Sequence, residues 1–138
     1  MASYIADLAA YLTSHGFVGG ATGWPIYTHY QPEASDRGAQ IPGRAVTLYG
    51  TSGQAPVDRS ELLYSGLQVR VRVERGGEEI ALAKCGALRD ALRAIAVQTV
   101  GTTRVRWITA DHSEPLPLGP DSSNRPEFTH NFTIARGG

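Results

Sequence analysis

A basic excess is the first thing this chain lacks. Thirteen lysines and arginines are matched by thirteen acids over 138 residues, which disfavours a protein that works by neutralising phosphates along DNA, although local stripes can still form. Cysteine is nearly absent. Cys85 stands alone, which excludes an intrachain disulfide and a multi-cysteine zinc site within one chain. No apolar run nears the roughly twenty residues that span a bilayer, so no membrane partner is expected. Residues Met1 to Asp7 show no basic start before an apolar core, so no secretory signal is expected and a reducing, intracellular compartment is the default. Apolar residues are also in modest supply, 41%, beside 16 glycines and 8 prolines. That balance implies long loops around a limited core. A chain of this length buries roughly two thirds of its unfolded surface. Residues 1–138 are therefore expected to form one domain that gains further burial by oligomerising.

Catalytic spacing is missing as well. Gly50-Thr51-Ser52-Gly53-Gln54 has the outline of a nucleophile elbow, but its fifth position is Gln and a proline loop follows where a helix is needed. No Gly-x-x-x-x-Gly-Lys phosphate loop occurs. The four histidines, His15, His29, His112 and His130, form no i, i+4 pair. Asp111 and His112 are adjacent at a strand end, where neighbouring side chains diverge. His130 shares a strand face with Phe128, Phe132 and Ile134, which predicts a buried, hydrogen-bonded imidazole. Cys85 reads as a small packing residue. Asn131-Phe132-Thr133 matches a glycosylation sequon, which means nothing without a secretory signal. No catalytic residue, metal site or cofactor is expected. A hydrolase built on Ser52, His112 and Asp111 stands as the alternative from another class.

What is present is strand and helix patterning. Ser3 is placed to cap a helix over 3–15, with Ile5, Leu8 and Leu12 at helical spacing and Gly16 at the left-handed stop. Pro25–Tyr30 is a weak strand candidate, and Arg44–Gly50 a short strand. The clearest strand is Leu67–Arg75, where Leu67, Val69, Val71 and Val73 alternate with Gln68, Arg70, Arg72 and Glu74. A helix is expected from Glu78 to Val97, burying Ile80, Ala87, Leu88, Ala91, Leu92 and Ile95, with Gly86 packed closely on the sheet. Strands follow over Thr103–Ala110 and Glu127–Arg136. The order fits an α+β fold: one small mixed or antiparallel sheet flanked by two main helices, with long loops at 31–43, 51–66 and 111–126. The strand–helix–strand unit over 67–110 suits a right-handed crossover. Long loops in a small domain are commonly binding elements.

Arg70 and Arg72 share one strand face, and Arg104 and Arg106 share another. If those two strands pair, four guanidinium groups fall on one side of the sheet. The bland reading is a solvated face paired with Glu74 and other acids. The functional reading is a contact with another subunit or partner, since arginine is enriched at interface hot spots. Contact with DNA is a third.

Several pieces taken together resemble the tail terminator, or minor capsid, family of long-tailed phages. They are the N-terminal helix, Leu48-Tyr-Gly-Thr-Ser-Gly53, Leu67-Gln-Val-Arg-Val-Arg-Val73, and Ala83-Lys-Cys-Gly-Ala-Leu-Arg-Asp-Ala-Leu92. The last are Pro115-Leu-Pro-Leu-Gly119, Asp121, Arg125-Pro-Glu-Phe128 and Asn131-Phe132. The closest correspondence covers 44–136. The resemblance implies a structural, non-enzymatic virion protein of the tail and neck, assembled in the host cytoplasm as a homo-oligomeric ring, commonly of six. It also implies partners: the tail tube protein, the head–tail connector and DNA in the lumen. Tyr64, Leu116 and Leu118 would bury at subunit or tube contacts, with Arg70, Arg72, Arg104, Arg106 and Arg125 fixing register. A head–tail connector or completion protein is the alternative in the same class, and a DNA-binding module on the four strand arginines is another outside it.

Overall fold

The computed structural model describes residues 3–19, 22–30, 43–51, 53, 62–120 and 124–137. Most of the 31–43 and 51–66 loop segments, together with Ser52 and Asp121, lie outside the described residues.

Helix α1 spans Tyr4–Ser14. The Ser3 hydroxyl accepts the Ala6 amide at 3.1 Å, as an N-cap should. At the other end Gly16 adopts φ 78°. The Gly16 and Phe17 amides reach back to the Thr13 and Leu12 carbonyls, the paired bonds of a Schellman stop. Seven strands follow in one sheet: β1 (Ile26–Thr28), β2 (Ala45–Thr51), β3 (Leu62–Arg72), β4 (Gln98–Val100), β5 (Thr103–Ala110), β6 (Leu116–Pro120) and β7 (Pro126–Gly137). Helix α2, Glu78–Arg93, lies between β3 and β4.

The sheet order is β1-β2-β3-β7-β5-β4, with β6 also paired to β7. β1 joins β2 in parallel, and every other pair is antiparallel. β7 organises the sheet. One of its edges pairs with β3 along its whole length, from Leu62↔Gly137 to Arg72↔Glu127. Its other edge is shared, with β5 opposite Phe132–Arg136 and β6 opposite Pro126–Thr129. The sheet curls into a half-barrel.

Both helices lie against one face. Ile5, Leu8 and Leu12 of α1 and Ala81, Cys85, Leu88 and Leu92 of α2 share a buried cluster with Leu48, Leu67, Val69, Val105, Ile108, Phe132 and Ile134. Asp7 pins α1 to the β4–β5 turn by accepting the Thr102 amide (3.1 Å) and the Thr102 and Thr103 hydroxyls (3.0 and 2.6 Å). Trp24 is buried beneath two cations, with Arg44 and Lys84 each 5.3 Å from its ring centroid.

The expected small sheet flanked by helices is therefore corrected. The chain is mostly β, with a large curled sheet and, among the described residues, two helices that share one side of it. Three strands account for the difference. β4 follows α2 directly, where Ile95 and Val97 prolong a helical spacing. β6 carries Pro117 and Pro120, which argue against a central strand but are tolerated at an edge. β1 is three residues long. β3 and β5 run parallel, but β7 is inserted between them. The phase of α2 also differs. Ala81, Cys85, Leu88, Ala91 and Leu92 form its buried stripe, whereas Ala87 is exposed and Ile80 is 44% exposed. A Cβ on Gly86 would meet nothing within 4 Å, so that glycine is not explained by close packing.

Candidate functional site

The pairing registers decide which side chains share the sheet face turned away from the helices. Thr47 lies opposite Arg70 and Tyr49 opposite Gln68; Arg70 and Arg72 in turn face Thr129 and Glu127. Arg70 donates Nε to Gln68 at 3.1 Å and sets its guanidinium 4.8 Å from the Tyr49 ring centroid. Further along, Ala135 lies between Tyr64 on β3 and Trp107 on β5. The two rings meet above this small residue with centroids 6.4 Å apart at 55°, a tilted contact of the kind aromatics favour. Trp107 remains 43% exposed.

The four strand arginines do not come together. Arg72 pairs with Glu127, whereas Val105, between Arg104 and Arg106, pairs with Arg136. From Glu127 to Arg136 is roughly 30 Å of extended strand. Arg104 reaches the Thr99 hydroxyl at 3.5 Å and Arg106 the Gly137 carbonyl at 3.3 Å. Arg72 is fully buried and donates to the Gly43 carbonyl at 3.3 Å. Arg125 is buried as well. Of the predicted contact residues, Leu116 and Leu118 are the most open, at 49% and 42%.

Those leucines sit on β6, which is exposed along its whole length. Backbone pairing with β7 holds it, with a register shift between Pro117 and Gly119, where Gly119 takes φ 84°. Pro117 and Pro120 carry no N–H, which blunts this edge as a template for further strands. The turn before β6 is fixed by a histidine pair. His112 donates Nδ1–H to the Glu114 carbonyl (2.6 Å) and accepts the Asn131 amide at Nε2 (3.2 Å). His130 donates Nε2–H to the His112 carbonyl at 2.8 Å. Burial, with Arg89 and His112 nearby, holds the His130 imidazole below its ordinary value against the opposing hydrogen bond.

Of the hydrolase alternative, Asp111 and His112 can be placed, while Ser52 lies outside the described residues. The Asp111 carboxylate accepts the Thr133 hydroxyl at 2.7 Å, and both His112 ring nitrogens are engaged by backbone groups, so the two make no acid–base pair. Burial pushes the Cys85 thiol up to about 12, far from a nucleophile's range. Among the described residues no group of three or more His, Cys, Asp or Glu is arranged to hold a metal, and no helix is long and apolar enough to cross a membrane. Sequence reasoning missed Trp107. Its position beside the β5 register shift was the obscuring feature, because alternation counted from Val105 would have put it on the buried face and the shift turns it outward.

No protein with a curated description matches this sequence. One solved structure is similar over 95% of this chain and 89% of that chain, at 15% identity and a TM-score of 0.43, a likeness too distant to bear on function. The family model for bacteriophage tail terminator proteins matches residues 11–136. With nearly the whole chain matched, the protein belongs to the bacteriophage tail terminator family and is a structural component of the phage tail.

Proposed function

We propose that this chain caps the completed tail tube as one subunit of a ring, six-membered as the resemblance implies, and offers the head connector a docking surface. A tube grows because each ring presents the same face to the next, a heterologous contact that never closes. A cap must fit the growing face while presenting no copy of it, and then growth stops without bond chemistry. The observation that carries the reading is β6, where two exposed leucines are held on a proline-stiffened strand anchored through its backbone to β7. Ordering cost on binding is small for a segment already fixed. Tyr64 and Trp107 supply an aromatic contact on the sheet face, and Arg70, Arg104 and Arg106 supply register. Arg72 and Arg125, being buried, position strands instead.

The test uses phage lacking this gene, complemented with wild type or with the Leu116→Asp, Leu118→Asp double variant, and imaged by negative stain. Overlong, headless tails from the deletion and from the double variant are expected, with wild type restoring normal particles. The isolated double variant should melt like wild type, because both side chains are exposed. Tails of normal length beside heads leaking DNA would assign the protein to the connector instead. Normal particles from the deletion would exclude both roles.

A further inference from the structure

We draw no further inference here: the strongest candidate, the apolar pocket of about 270 Å³ between β6 and the start of α2, lined by Pro117, Pro120, Pro126 and Phe128, carries nothing because nothing in the structure shows what covers it.

Discussion

The imidazole of His112 lies flat on that of His130, centroids 4.6 Å apart and planes 17° from parallel. The hydrogen bonds place an N–H at His112 Nδ1 and at His130 Nε2. A proton added to His130 Nδ1 would sit on a buried atom that has no hydrogen-bond partner among the described residues. The stack also joins the turn before β6 to the middle of β7, so it links core stability to the exposed leucines.

Acid should therefore loosen the protein through His130. Its folded pKa lies below the ordinary value because of burial. The neutral form is the one the fold favours, so this contribution is complete above about pH 6.5, the unfolded value. It diminishes as pH falls from there towards the folded value. Melting temperatures measured from pH 8 to pH 5.5 should fall, and His130→Leu should flatten that fall while costing about 1–2 kcal/mol at pH 8 for the lost bond to His112. An unchanged pH slope in His130→Leu would rule out this residue as the sensor.

Asp7 should act in a lower pH window. Burial alone would raise its carboxyl, but the hydrogen bonds from Thr103 and Thr102 outweigh that and hold it below the ordinary carboxylate value. Its contribution is then present above about pH 3.9, the unfolded value, and is lost as pH falls through the folded one. Asp7→Ala should destabilise by about 1–3 kcal/mol, since a charged acceptor is removed and the buried Thr103 hydroxyl is stranded, while the exposed Thr102 can turn to water. Gly101 belongs to the same joint. It has φ 60°, and a Cβ there would lie 2.3 Å from Asp7 Oδ1. Gly101→Ala should therefore unfold at lower urea than wild type by a margin similar to Asp7→Ala.

Local signals in the sequence were read successfully where the structure is local. The Ser3 cap, the Gly16 stop and the alternation of Leu67, Val69 and Val71 need only neighbouring residues to decide them. The buried, hydrogen-bonded His130 followed from its strand face. The phase of α2 was not legible, because alanines at 81, 83, 87 and 91 make several helix faces apolar and a one-residue rotation costs the pattern little. Nor was the separation of the arginine pairs. That depends on β7, the last strand in the chain, entering between β3 and β5, a non-local pairing that no window of sequence contains. Leu116 and Leu118, expected at a contact, are exposed, while their strand was hidden by its prolines.

Gly86 turns one of those misreadings into a stabilising substitution. Its Cβ position is open, and it lies within α2, where glycine costs about 0.5–1 kcal/mol against alanine. Gly86→Ala should raise stability by that amount in urea titration with an unchanged m-value. A loss of stability would mean the helix needs the glycine's freedom after all.

Val97 presents the opposite case, a residue that local stability disfavours. It has φ 49°, a left-handed conformation that costs an L residue roughly 1–2 kcal/mol and is rarer still for a β-branched one. Its side chain is 63% exposed, so core packing does not compensate. Its amide donates to the Arg106 carbonyl at 3.0 Å, which holds the backbone in place where α2 hands over to β4, next to Trp107. Asn tolerates this conformation better, so Val97→Asn should gain about 0.5–1 kcal/mol, and Val97→Ala, which keeps a Cβ, should gain less. Backbone strain of this kind clusters at functional sites, which makes Val97 worth testing in assembly. If the more stable Val97→Asn variant also fails to restore normal tail length in complemented phage, the valine side chain belongs to an assembly interface beside Trp107. If it complements fully, the strain is merely the cost of the sharp exit from α2, and the valine side chain takes no part in assembly.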